Sequence, residues 1–434
     1  MNVTLSATLA ANEDIDRRRR AGERVINLAF GEAGLPVHPA LQRRLIAASE
    51  RNGYGPVAGA PDLRVAAAGY WERRGLATDP DLVVCGPGSK PLLYGLQLAI
   101  GGDIVLPMPS WVSYAAQADL AGARSLLVPT PPGEGGAPDP DLVRSAVLHA
   151  RGQGREVSSL LVTLPDNPTG TLARPQTIRR LVELARELDL VIISDEIYRD
   201  LVHDPAADYL SPADIAPERT VITTGLSKSL ALGGWRIGVA RLPDAGYALR
   251  ERMLAVASEI WSSPAAPVQQ AAAYAFTEPD ELVERVTDSR RLHGAVLGAV
   301  WTRFAEAGAK VAEPQGGFYC YPDLTHLRDR LGVATVQEFC ALLLDRHGLG
   351  VLPGHAFGDD PGALRVRVAT SLLYGETTEQ RLAALRSSDP VALPWIAAAL
   401  DHLSESLRAL PAGPQQQVSR TRIGPSLIPA AAAN

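Results

Sequence analysis

Lysine is nearly absent from this sequence. Of 42 Lys plus Arg in the 434 residues, only Lys90, Lys228 and Lys310 are lysines. Where arginine supplies almost every cation, a lysine draws notice for what arginine cannot do. Its amine can lose a proton and attack a carbonyl to form a Schiff base. Cysteine is scarce too: Cys85, Cys320 and Cys340 are odd in number, far apart and without metal-ligand spacing. That excludes a disulfide framework and a cysteine metal site, and fits a reduced, cytoplasmic setting. Positive charge is not in excess, because 48 Asp plus Glu leave a formal net charge of −6. A basic field for nucleic acid is thereby excluded. The one basic run, "RRRR" at 17–20, sits between Asp16 and Glu23 and reads as the solvated face of a mixed-charge helix. No apolar run approaches the ~18 residues that a membrane span needs. The first twenty residues lack the basic start and apolar core of a secretory signal.

What is present alternates. Short Val-, Ile- and Leu-rich runs at 81–86, 103–107, 124–129, 158–165, 190–198, 219–226 and 235–242 are separated mainly by helical patterns at 90–100, 112–122 and 176–189. Such runs predict strands of a mostly parallel sheet covered by helices on both faces, an α/β fold. Residues from about 245 to 300 read as helical. The segments that follow, with helices at 335–348 and up to about 410, predict a smaller α+β domain. We divide the chain into an arm with part of the small domain (1–42), a large domain (43–287), a small domain (288–410) and a disordered tail rich in Pro, Gln and Ala (411–434).

Ligands of open α/β sheets bind at the C-terminal ends of the strands. Reading those ends in turn gives "PGSK" (87–90), "DNPTG" (166–170), "DEIY" (195–198) and "SK" (227–228), with Arg236 eight residues beyond Lys228. Each has an ordinary explanation alone: a loop before a helix, a turn, a helix cap. Together they offer an anion cradle at a helix start, an amide donor, a carboxylate, an amine and an arginine. Pyridoxal 5′-phosphate requires this set, with its phosphate at residues 88–90 and Arg236, its ring nitrogen on Asp195 and its aldehyde on Lys228.

Over residues 20–405 the sequence resembles the class I/II aminotransferases of the fold-type I pyridoxal-phosphate enzymes. The resemblance implies that Asn167 and Tyr198 contact the cofactor's 3′-oxygen and that Asp195 pairs with its ring nitrogen. Lys228 holds it covalently, Trp111 of "PSWVSY" stacks on it, and Gly88, Ser89, Lys90 and Arg236 hold its phosphate. Tyr54 of "GYGPVAG" reaches the phosphate of a partner subunit, which implies a homodimer with active sites at the subunit interface. Gly31 of "INLAFGE" and an arginine of "LRVRVATS" receive the substrate α-carboxylate; counting back four residues from Ala369 selects Arg365 over Arg367. Lys228 then acts as general base and acid while an amino group moves between an amino acid and a 2-oxo acid. Ser258 stands where one branch of the family carries an arginine for a side-chain carboxylate. With Trp261, Tyr54 and Trp111 nearby, it suggests an apolar pocket and a donor that is not dicarboxylic. The same motifs would also serve enzymes that do not transaminate: a replacement or elimination enzyme, a synthase using S-adenosylmethionine, an oxidase or a cyclase. A non-catalytic regulator on this fold is the reading of a different class. No helix-turn-helix segment precedes the domain, and the cofactor residues are all present, both of which oppose it.

Overall fold

The structure, a computed structural model, describes residues 6–410; the expected tail at 411–434 lies outside the described residues. Its centre is a seven-stranded sheet. In chain order the strands are β1 (Val83–Gly86), β2 (Asp103–Met108), β3 (Ser125–Pro129), β4 (Val157–Thr163), β5 (Val191–Asp195), β6 (Thr220–Gly225) and β7 (Gly238–Arg241). Their spatial order is β1-β7-β6-β5-β4-β2-β3. β7 alone runs against its neighbours β1 and β6, and the other pairings are parallel. The link from β6 to β7 carries no crossover helix, so the chain returns beside β6 in the opposite sense. β5 and β6 are buried along almost their whole length, as strands covered on both faces must be.

Helices fill both faces. Ser89–Ile100, Ser113–Leu120 and Tyr247–Ile260 pack with Leu92, Leu96, Ile193 and Met253 on one side. Pro140–Gly152 and Pro175–Glu187 pack with Val143, Val147, Ile178 and Leu181 on the other. The helix Pro140–Gly152 is absent from the reading of the sequence, although its start is written there. The Asp139 side chain accepts from the backbone N–H groups of Asp141 and Leu142, and Pro140 opens the first turn. Two other boundaries differ: Glu196–Tyr198 have left β5, and the expected final helix is two, Thr378–Arg386 and Pro394–Ala409. Asp389 and Pro390 interrupt them, where a proline cannot continue a helix.

The helix Asp280–Glu306 leaves the large domain and gives Leu292, Val296, Leu297 and Val300 to the core of the small one. That domain is built on an antiparallel sheet of β8 (Tyr319–Cys320), β9 (Leu352–Pro353) and β10 (Val366–Ala369), in the order β9-β10-β8. The N-terminal arm joins it, because Ile26 and Asn27 pair in parallel with Leu349 and Gly350. The arm then carries Gly31 back toward the ends of the large sheet, and the cleft forms where the three parts meet.

Candidate active site

Three glycines end adjacent strands in one row: Gly86 of β1 pairs with Gly238 of β7, which pairs with Gly225 of β6. A Cβ on Gly238 would come within 2.7 Å of the Gly88 carbonyl carbon and the Ser89 nitrogen. The bare backbone lets the loop 87–90 settle onto the sheet end, so the helix Ser89–Ile100 starts there with Gly88 as its N-cap at φ 95°. The Arg236 guanidinium lies where a Gly88 side chain would be. Arg236 itself takes the left-handed backbone at φ 55°, uncommon for a non-glycine and held by the Nη1 bond to the Gly233 carbonyl at 2.9 Å. A helix N-terminus facing a guanidinium is an anion seat. Gly225 is fixed for a backbone reason: a Cβ there would sit 2.8 Å from the Ile237 carbonyl oxygen.

Beyond this seat opens a cleft of about 540 Å³. Asp195 is 3% exposed at its floor. Burial pushes its carboxyl up to about 6, against hydrogen bonds from the Tyr114 hydroxyl at 2.8 Å and the Ile197 N–H at 3.3 Å. Tyr114 is in turn 3.0 Å from the Thr163 hydroxyl. A buried carboxylate without a cationic partner favours a ligand that brings a positive charge. Lys228 reaches in from the turn after β6 and donates from Nζ to the Gly31 carbonyl. Tyr198 and Tyr319 have their hydroxyls 2.9 Å apart, and the Tyr319 hydroxyl is 3.3 Å from the same carbonyl. Trp111 lines the cleft with the Lys90 amine 5.0 Å from its ring centre.

The cleft gathers Gly31, Ser89, Lys90, Trp111, Asn167, Asp195, Tyr198, Lys228 and Arg236 from the sequence-derived set, with Gly88 directly behind Ser89. Two members of that set lie elsewhere. Tyr54 is 96% exposed and does not line this chain's cleft. Arg365, selected by the count back from Ala369, also falls outside it. It precedes β10, donates from Nε to Asp323 at 3.0 Å and from Nη1 to Asp359 at 2.6 Å, and so is spent on the small domain's own carboxylates. Arg367 enters the cleft instead, 1% exposed. Its Nη1 donates to the Asn167 amide oxygen at 3.3 Å, its Nη2 donates to the Ala29 carbonyl, and its buried Nε has no partner.

Of the three aromatics expected near the substrate, only Trp111 lines the cleft, and Ser258 is exposed on the last turn of Tyr247–Ile260. Tyr114, Thr163, Tyr319 and Thr8 line it without having been singled out. Tyr114 stands in "PSWVSY", the motif read for Trp111, and Tyr319 in "GGFYCYPDL", from which no residue was singled out.

Among the described residues, Lys90, Lys228, Arg236 and Arg367 form no ion pair, although all four cations line the cleft. Burial lowers the proton affinity of Lys90, and the neighbouring charges of Arg236 and Lys228 lower it further. The orphaned Arg367 Nε, the glycine cradle and the unpaired Asp195 carboxylate fit pyridoxal phosphate and an anionic substrate.

A mostly parallel sheet with helices on both faces and this cleft at its strand ends is the fold of the class I aminotransferase neighbours. The chain belongs to the aminotransferase class I and II family, whose model matches residues 23–373. It is an aminotransferase. It is 32% identical to the aspartate/prephenate aminotransferase of Thermus thermophilus over 84% of this chain and 92% of that one. To the aspartate aminotransferase of Bacillus sp. (strain YM-2) it is 30% identical, over 88% of this chain and 96% of that one. The solved structure of Thermus thermophilus aspartate aminotransferase with maleate superposes at a TM-score of 0.79 with 28% identity, covering 93% and 97% of the two chains. The Pyrococcus horikoshii aromatic aminotransferase superposes at 0.72 with 26% identity, covering 91% and 100%.

Proposed function

We propose that this aminotransferase uses pyridoxal 5′-phosphate and takes a dicarboxylic amino acid as donor, with a 2-oxo acid as acceptor. The observation that supports the substrate assignment is that two cations without ion pairs, Arg367 and Lys90, line the same cleft, Lys90 from the first turn of Ser89–Ile100 beside the phosphate seat. A second substrate carboxylate would find the half-buried Lys90 amine in the same cleft, in addition to the Arg367 guanidinium. This departs from the expectation drawn from Ser258, which is exposed and does not line this chain's cleft. The names of the aspartate and aspartate/prephenate relatives point the same way.

Gly88, Ser89 and Arg236 would hold the phosphate, Asp195 the ring nitrogen, Asn167 and Tyr198 the 3′-oxygen, and Trp111 the ring face. When bound, the cofactor supplies an electron sink that stabilises negative charge at the substrate Cα. Arg367 grips the α-carboxylate with its guanidinium and fixes the Cα–H bond relative to Lys228. Lys228 Nζ then removes the α-proton as general base and carries it as an ammonium. The Gly31 carbonyl, which accepts from Nζ, holds the amine on the substrate side of the cleft. Tyr114 keeps its proton, since burial and the adjacent Asp195 raise its ionisation far above the ordinary tyrosine value, and so it remains a donor to Asp195. The fully exposed Tyr54 ring suits a second copy of the chain, whose cleft it would complete, and we assign a homodimer on that ground. No helix among the described residues is long and apolar enough to cross a membrane.

The test is an amino-acid panel run on wild type and on Lys90→Met. We expect aspartate and glutamate to outperform leucine and phenylalanine in wild type. In the variant kcat/KM for aspartate should fall roughly 10- to 100-fold, the value of one charge-assisted hydrogen bond. Phenylalanine should change by no more than about 3-fold. Equal losses for both substrates would place Lys90 on the phosphate and overturn the dicarboxylate assignment.

A further inference from the structure

Tyr319 belongs to the small domain, yet its hydroxyl is the point where three separate parts of the chain meet. It is 1% exposed in β8, opposite Ala369 of β10. Its hydroxyl is 2.9 Å from that of Tyr198, which follows β5 of the large domain, and 3.3 Å from the Gly31 carbonyl of the arm. Its ring lies 4.8 Å from the Arg367 guanidinium and edge-on to Tyr198, with centroids 5.6 Å apart. Gly31 has no room for a side chain because a Cβ would collide with the Tyr319 hydroxyl.

The hydroxyl carries one proton and has two acceptors in reach. The Gly31 carbonyl already accepts from Lys228 Nζ, and it is the more distant of the two. Tyr198 is the nearer, and it has another use for its own proton if it donates to the cofactor. A hydroxyl that donates can still accept through its lone pairs, and successive hydroxyls polarise one another.

We propose that Tyr319 is a positioning residue for this reaction: its hydroxyl donates to the Tyr198 oxygen, which turns the Tyr198 proton toward the cofactor's 3′-oxygen, while its ring supports Arg367. The same side chain therefore sets the donor at the ring and the cation that grips substrate. The charged and titratable groups facing the tyrosine pair are Lys228, Arg367 and Asp195. Burial, with Tyr319 beside it, holds Tyr198 in its neutral, donating form.

The inference rests on the pyridoxal-phosphate reading, and its test separates the two. The readout is the pH at which bound cofactor changes its visible absorption, an ionisation at the 3′-oxygen end that a hydrogen-bond donor lowers. Wild type reconstituted with pyridoxal phosphate must show the visible band; if it does not, the cofactor reading fails. Given the band, Tyr319→Phe keeps the ring under Arg367 and removes only the hydroxyl. Its midpoint should rise by roughly half a unit to one unit, the value of one net hydrogen bond. We expect kcat to fall several-fold with KM within about 2-fold. In a Tyr198→Phe background the same substitution should shift the midpoint no further. Tyr319→Leu, which also removes the ring, should raise KM for the amino acid. Should Tyr319→Phe not fold, Gly31→Ala displaces the hydroxyl sterically and should raise the midpoint likewise. An unchanged midpoint in a folded, cofactor-loaded variant, or an equal shift with and without Tyr198, overturns the proposal.

Discussion

Replacing Arg367 and Arg365 in turn by lysine tests which of the two arginines receives the substrate carboxylate, as proposed for Arg367, and which is held in ion pairs two residues away. Arg367 is buried, and its charge is not balanced by any carboxylate of the described residues. Burial accordingly lowers its proton affinity. Its Nη1 and Nη2 are anchored by Asn167 and Ala29, and its buried Nε has no partner. A carboxylate entering here gains charge-assisted hydrogen bonds worth about 1.5–3 kcal/mol each. Lysine cannot keep the two anchors and present the same planar fork. Truncating one partner of a buried charged contact costs roughly 2–5 kcal/mol, so Arg367→Lys should lower kcat/KM by about 30- to 5,000-fold. Arg365, with a side chain 40% exposed, faces Asp323 and Asp359. Its replacement should cost about 1 kcal/mol of stability, the range of partly exposed pairs, and leave kcat/KM within about 3-fold. The assay is keto-acid release under steady state, with cofactor binding and thermal unfolding as controls for folding. If Arg365→Lys loses substrate affinity and Arg367→Lys does not, the assignment of the clamp is wrong and the arm must move before substrate binds.

Asp195 gives a pH signature. Burial lifts its carboxyl from the ordinary 3.8 up to about 6, so the cofactor-free folded protein retains a proton that the unfolded chain has released. Stability is therefore lost as pH rises from about 4 to about 6, by up to about 3 kcal/mol relative to Asp195→Asn. Calorimetric unfolding of the two proteins across that range should show the difference, and parallel profiles would mean that the carboxyl is already ionised and satisfied. Reconstitution with a cationic ring nitrogen should abolish the slope in wild type. For the dimer, co-expressed Lys228→Ala and Tyr54→Ala chains should form hybrids with one intact site and measurable turnover, although each variant alone is inactive or nearly so. Hybrids without activity would put Tyr54 in its own chain's site.

The sequence by itself determined the chemistry-bearing turns. "PGSK", "DNPTG", "DEIY" and "SK" stand at the ends of buried apolar runs, and period, composition and chain order place them on one edge of a parallel sheet. Lys228 is legible because arginine replaces lysine almost everywhere else. Three matters needed the tertiary structure. Arg365 and Arg367 lie two residues apart, and the alternation of a strand cannot separate positions with that spacing. What separates them is Asp323 and Asp359, brought to Arg365 from distant parts of the small domain. In the sequence Ser258 marks the place where a side-chain cation is missing, whereas Ser258 is exposed and the cations without ion pairs that line this cleft, Lys90 among them, become visible only in the packed structure. Tyr319 has no signal in its own motif, because its role comes from Gly31 and Tyr198, 288 and 121 residues away. Local pattern records which side a strand buries and where a turn must fall. Which buried polar groups remain unpaired is a property of the packed whole, since each partner is supplied by a segment that the pattern treats separately.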